Sequence, residues 1–281
     1  MLRYRLLSGI LIIASLLAAM RYLPLGWVLP VLLVIAFLAL HEFYALLEAS
    51  QRPHFKVLGL LCGLGLVAGT WLALRSDVAW RLEAEVFLLF ATCALVFIRQ
   101  ILCRPGDRPW DTLSGTLLGV LYVAFLLNFL AKLMVGWGPG VDGRFLLLYL
   151  VAVVKSTDIG AYTVGCAIGR HKFIPRLSPK KTWEGVIGGV LTGFAVSLAF
   201  VHFGHGQISG FSFSWIDAVA LGLILPVAGV VGDLIESLLK RAGGVKDSGS
   251  FILGMGGILD VIDSLLFAAP LLYLYLRLFI A

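Results

Sequence analysis

Apolar runs long enough to cross a bilayer recur along the whole of this 281-residue chain. A bilayer core needs about 20 apolar residues per helix, and lipid offers nothing to pair with backbone N–H and C=O groups, so such runs fold as helices. Nine are legible, near 6–22, 25–41, 57–74, 85–103, 112–135, 145–168, 185–203, 216–239 and 261–280. The expected fold class is all-α, a polytopic integral membrane protein with about nine transmembrane helices. Composition agrees: 60% of the residues are hydrophobic and 14% charged, against roughly 45–50% and about 25% in a soluble domain. The first run follows Arg3 and Arg5 and could pass for a signal peptide. A second apolar run follows Met20-Arg21-Tyr22 directly, which favours a retained first helix.

The loops carry positive charge in alternation. Arg3 and Arg5 precede the first run, and Arg52 and Lys56 follow the second. Arg99, Arg104 and Arg108 follow the fourth, Arg170, Lys172, Arg176, Lys180 and Lys181 the sixth, and Lys240, Arg241 and Lys246 the eighth. The intervening loops are poor in Lys and Arg. Cytoplasmic loops are the ones enriched in these residues. The bias predicts a cytoplasmic N-terminus, an external C-terminus and an odd number of spans, in a bacterial-type plasma membrane. It also accounts for the net charge of +6, and no basic, aromatic-interleaved tract points to nucleic acid. Cys62, Cys93, Cys103 and Cys166 lie in or beside apolar runs without a CxxC pair. They are expected to be buried small apolar residues, with no disulfide framework or zinc site. Gly185, Gly189 and Gly193 recur every four residues on one helix face, a spacing that allows close helix contact in lipid. The chain reads as one membrane domain. Its helices divide into an N-terminal set, 1–140, and a C-terminal set, 141–281, that carries the chemistry.

That chemistry lies in charges embedded at or inside apolar runs. Lys155 and Asp158 sit within the sixth, Asp233 and Glu236 at the end of the eighth, and Asp260 and Asp263 open the ninth. Such residues face a cavity or a partner more often than lipid. On a helix, Asp233, Ser237 and Lys240 share one face, as do Asp260, Asp263 and Ser264. Between them runs "KRAGGVKDSGSFILGMGG", glycine-rich and basic. Glycines allow close backbone approach and present N–H groups to anions. Carboxylates and phosphates together satisfy the oxygen octahedron that Mg²⁺ prefers. A second basic element, "GRHKFIPRLSPKKTWEG" at 169–185, is expected to contain a Ser-Pro turn and then to open a helix at "TWEG". A helix N-terminus flanked by lysines is a natural anion site. No GxxxxGK[ST] or GxGxxG occurs, and "HEFYA" at 41–45 lacks the second His of a zinc protease motif.

The stretches "KSTDIGAYTVGCAIGRHKFIPRLSPKKTWEGVIGG" and "VGDLIESLLKRAGGVKDSGSFILGMGGILDVIDSLLF" resemble the phosphatidate cytidylyltransferases, or CDP-diacylglycerol synthases. The family's C-terminal signature falls on Ser237, Lys240, Arg241, Lys246, Asp247, Gly256, Gly257, Asp260 and Asp263. Two further elements fall on Asp158, Gly160, Ala161 and Tyr162, and on Ser178 through Gly185. Leu253, Met255 and Val261 stand where the family usually has Pro, His and Arg. The resemblance implies that CTP and phosphatidic acid react to give CDP-diacylglycerol and pyrophosphate, on the cytoplasmic face of a homodimer within membrane lipid. On that reading Asp233 and Asp260 are the main ligands of Mg²⁺, with Mn²⁺ as substitute and Asp263 in support. Lys240, Arg241 and Lys246 hold phosphates, and Lys180 and Lys181 hold CTP or the lipid headgroup. Asp247 positions Lys246 or a second cation, and Asp158, Ser178, Ser237, Gly256 and Gly257 line the substrates. Alternatives from the residues alone are a CTP-dependent lipid or polyprenol kinase, a cation-coupled transporter and an inactive scaffold.

Overall fold

In the computed structural model the residues described are 22, 24–76, 83–103, 108–137, 141–245, 249 and 256–280. Among them, eight helices are long and apolar enough to cross a membrane, and they coincide with the second to ninth runs expected above. The run at 6–22 lies outside the described residues except for its last residue, Tyr22. The helices are α1 (Leu25–Ala49), α2 (Lys56–Arg75) and α3 (Ala84–Ile101), then α4 (Pro109–Gly119) continued through a π-helical turn (Val120–Phe125) into α5 (Leu126–Val135). They continue with α6 (Arg144–Ile168), α7 (Trp183–Phe203), α8 (Trp215–Ala242) and α9 (Ile258–Tyr275), which ends in a second π-helical turn (Leu276–Ile280). Two short antiparallel hairpins interrupt the helices: β1 (Lys172–Ile174) with β2 (Ser178–Thr182), and β3 (Gln207–Ile208) with β4 (Phe211–Ser212).

The chain forms two compact units. The first comprises Met1–Ala131 with Lys240–Ile262. Its core gathers Leu40, Phe43, Tyr44, Leu66, Val96, Val123 and Leu127. Tyr44 threads between two glycines: a Cβ at Gly59 would fall 2.0 Å from its hydroxyl, and one at Gly119 2.6 Å from it. The hydroxyl donates to the carbonyl of Thr116 at 2.9 Å, so a polar tip buried in an apolar core is satisfied.

The second unit comprises Lys132–Leu239 with Asp263–Ala281. Here α6 and α7 pack backbone to backbone. A Cβ at Gly185 would lie 2.7 Å from the carbonyl of Ala161, at Gly189 2.7 Å from that of Thr157, and at Gly193 3.2 Å from that of Val153. The partner numbers fall as the glycine numbers rise, so the pair is antiparallel. The four-residue glycine spacing is thus the seam of this pair. Tyr149 donates to Ser197 at 2.8 Å, and Ser197 donates in turn to the carbonyl of Ala218 at 2.7 Å, which ties α6, α7 and α8 together.

Two expectations need correction. Ser178 and Pro179 open strand β2, and the turn is at 175–177. Pairing with Lys172–Ile174 extends the backbone there, a conformation that suits Pro179 at a strand end. The cysteines are free thiols but none is buried: Cys62, Cys93 and Cys103 are half-buried and Cys166 is exposed. The Cys103 sulfur accepts from the Arg99 guanidinium at 3.3 Å.

Candidate active site

In the second unit three carboxylates converge. Ligand oxygens of Asp233, Glu236 and Asp263 all lie within 4.8 Å of one another, with Glu236 and Asp263 buried. Local sequence explains the convergence. Asp233 and Glu236 stand at i and i+3 on α8 and therefore share a face. Gly232, just before them, lets α8 meet α9 backbone to backbone, since a Cβ there would fall 2.4 Å from the carbonyl of Asp263. Any side chain at 232 would drive Asp233 away from Asp263.

Cations border this cluster. Lys181, on β2, forms an ion pair with Asp233. Lys155, on α6, donates to Asp158 at 3.1 Å and to the buried Ser264 hydroxyl on α9 at 3.0 Å. Lys155 is also an electrostatic neighbour of Asp233 and Asp263. Ser237, one turn beyond Asp233, places its hydroxyl 3.4 Å from that carboxylate. The β1–β2 hairpin leads straight into α7: the Thr182 hydroxyl caps the helix by accepting from the Gly185 N–H at 3.2 Å. Glu184 accepts from the backbone N–H groups of Arg170 and His171 and bonds the His171 ring at 2.6 Å. This pins the base of the hairpin, on which Lys180 is exposed and Ser178 half-buried.

In the first unit Lys240 pairs with Asp260 at 2.6 Å, and both side chains are largely buried. The other Asp260 oxygen accepts from the Gly257 N–H at 2.8 Å. Gly256 has φ of +99°, a conformation open to glycine. A Cβ there would also fall 2.2 Å from the Asp260 carboxylate. Arg241 is exposed, and Val261 is half-buried beside Asp260. Lys246, Asp247, Leu253 and Met255 lie outside the described residues.

The structure therefore groups Asp233 with Asp263, Lys181 and Ser237, and groups Asp260 with Lys240 and Gly257. Asp158 reaches the first group through Lys155. Sequence reasoning noted Glu236 and Lys155 as membrane charges without enrolling them in a site, although the i, i+3 spacing of Glu236 from Asp233 was a usable signal. It missed Glu42, whose carboxylate on α1 accepts from the Ile258 and Leu259 N–H groups. The one hint was a carboxylate directly after the second apolar run.

The donor set of the carboxylate cluster is all oxygen. Such a set suits a hard divalent cation, Mg²⁺ or Mn²⁺, and offers no nitrogen or sulfur for a softer metal. A carboxylate cluster with lysines beside it, inside a helical membrane protein, is the equipment of an enzyme that works on phosphate groups at a membrane. The sequence model of the cytidylyltransferase family matches residues 3–279. The chain is 33% identical to the phosphatidate cytidylyltransferase of Haemophilus influenzae over 96% of both chains. It is 34% identical to that of Staphylococcus aureus (strain COL) over 86% of this chain and 87% of that one. It is also 36% identical to the uncharacterized protein YnbB of Escherichia coli, over 69% of this chain and 64% of that one. The chain belongs to the cytidylyltransferase family.

Proposed function

We propose that this protein is an integral membrane phosphatidate cytidylyltransferase, which transfers CMP from CTP to phosphatidic acid and releases CDP-diacylglycerol and pyrophosphate. The observation that carries the reading is the match of the family over residues 3–279. The clustering of Asp233, Glu236 and Asp263 beside Lys181 and Lys155 supports it. A phosphate oxygen of phosphatidic acid attacks the α-phosphorus of CTP, and the bond from that phosphorus to the β-phosphate bridging oxygen breaks. The nucleophile is already an anion at neutral pH, so the protein's task is positioning and charge neutralisation. Asp233, Glu236 and Asp263 would hold the divalent cation, which when bound offsets the negative charge of the phosphates. Lys180 and Lys181, presented by the pinned hairpin, bind the triphosphate or the lipid headgroup. Within the first unit, Lys240 pairs with Asp260, and the family resemblance implies phosphate-binding roles for Lys240, Arg241 and Lys246.

The site works on the cytoplasmic side, where CTP is available. The alternation of Lys and Arg along the loops supports that orientation, with the N-terminus inside and the C-terminus outside. A homodimer is carried over from the family resemblance. The test is purified protein in mixed micelles with labelled CTP, phosphatidic acid and Mg²⁺, scored for cytidine in the chloroform phase. Product should form, vanish with EDTA and return with Mg²⁺ or Mn²⁺. No chloroform-soluble cytidine would overturn the reaction, and full activity in EDTA would overturn the cation assignment.

A further inference from the structure

We propose that Glu42 is a positioning residue for this reaction: its carboxylate, supplied by α1, fixes the first turn of α9 and through that turn the Asp260 carboxylate. The proposal rests on the cytidylyltransferase reading above. Glu42 is buried, 8% exposed, inside an apolar helix, where an ionised group is costly unless it has partners. Its two oxygens divide between two backbone donors. Oε1 accepts from the Ile258 N–H at 2.9 Å, and Oε2 from the Leu259 N–H at 2.8 Å. These are the first two residues of α9, whose N–H groups have no partner within the helix. They also mark its positive end, where a carboxylate is favoured. The N–H just before them, that of Gly257, goes to Asp260 Oδ2 at 2.8 Å. The carboxylate of the third helical residue thus reaches back to the residue before the helix, as in a capping box.

Two carboxylates therefore take up three donors at the start of α9, the N–H groups of Gly257, Ile258 and Leu259. Glu42 holds the turn, the turn presents the Gly257 N–H, and that N–H sets the orientation of Asp260. The remaining Asp260 oxygen then meets Lys240 at 2.6 Å. Two glycines make room for the arrangement. A Cβ at Gly256 would fall 2.2 Å from Asp260 Oδ2, and one at Gly249 2.7 Å from Glu42 Oε1. Every contact in this chain lies within the first unit. A residue of α1 thereby governs a signature residue more than 200 positions later.

The experiment compares Glu42→Gln, Glu42→Ala and Leu40→Ala, the last a fully buried neighbour on α1, with two readouts. One is backbone hydrogen exchange at Ile258 and Leu259. The other is kcat, with KM for phosphatidic acid. Loss of a charge-assisted bond corresponds to about tenfold in an equilibrium. Glu42→Gln should speed exchange at both amides about tenfold and lower kcat about tenfold, with KM for phosphatidic acid unchanged. Glu42→Ala should exceed it in both. Leu40→Ala should lower the unfolding temperature while leaving kcat of the folded protein within twofold. If Glu42→Gln fails to insert, Gly249→Ala, which presses a methyl on the same oxygen, should move both readouts in the same direction. Faster exchange with unchanged kcat would reduce Glu42 to a structural cap and overturn the positioning role. Unchanged exchange would overturn the contact itself. A wild-type protein that forms no CDP-diacylglycerol would overturn the reaction assignment and the positioning role with it, while the exchange arm would still report the cap.

Discussion

Asp263 shows how a carboxylate is tolerated near the start of a membrane helix. It is 5% exposed, yet it faces Asp233, Glu236 and the electrostatic reach of Lys155 instead of lipid. Replacing either Asp233 or Asp263 by Asn keeps the size and removes the charge. Each change should lower kcat by on the order of 10²–10³, the scale of a lost preorganised electrostatic group. Asp142→Asn, which breaks an ion pair with Arg144 at 2.7 Å in the loop before α6, should leave kcat within twofold. Steady-state kinetics on the three purified variants checks this; equal losses in all three would mean that lost ion pairs in general, and not the cluster, explain the effect. The carboxylates were legible in the sequence because Asp233 and the Asp260/Asp263 pair fall at helical spacing inside apolar runs. Which of them meet was not legible. Asp263 joins Asp233 through the close approach at Gly232 in the second unit, and within the first unit Asp260 pairs with Lys240. Those are tertiary choices that i, i+3 spacing leaves open.

At the scale of elements, the eight apolar runs that fall among the described residues all mark helices, because bilayer length and hydropathy are strong, local signals. The hairpins and the π-helical turn at Val120–Phe125 carry no such signal. Strands of two to five residues are too short for a period-2 pattern, and a π turn shifts the helical period by a single residue. The glycine seam is legible as spacing, but its partner helix is not. The seam makes a paired prediction about stability. Gly189→Ala would place a methyl 2.7 Å from the Thr157 carbonyl and force the α6 and α7 backbones apart, destabilising the protein by about 1–3 kcal/mol. Gly65→Ala on α2 meets nothing within 4 Å. It should be neutral or stabilising by up to about 1 kcal/mol, as expected from helix propensity. Thermal unfolding in detergent reads both, and a similar fall in the two variants would contradict the close-contact account of α6 and α7.

For the whole molecule, charge alternation predicts an orientation that can be measured in intact cells. In a cysteine-free background, Arg176→Cys sits in the exposed β1–β2 turn and Gln207→Cys on the exposed strand β3. The two sites flank α7, a single membrane-length helix. An impermeant thiol reagent should label position 207 and spare position 176 until the membrane is opened. Labelling at 176 in sealed cells would reverse the topology and place the lysine hairpin away from CTP. The central claim is that the nucleotide, and not its terminal phosphate, ends on the lipid. The most direct measurement runs two reactions side by side with phosphatidic acid, one with CTP labelled at the α-phosphate and one with CTP labelled at the γ-phosphate. A cytidylyltransferase carries the α label into the chloroform phase and leaves the γ label in water as pyrophosphate. A γ label in the lipid, with the α label left in water, would identify a CTP-dependent kinase and contradict the account.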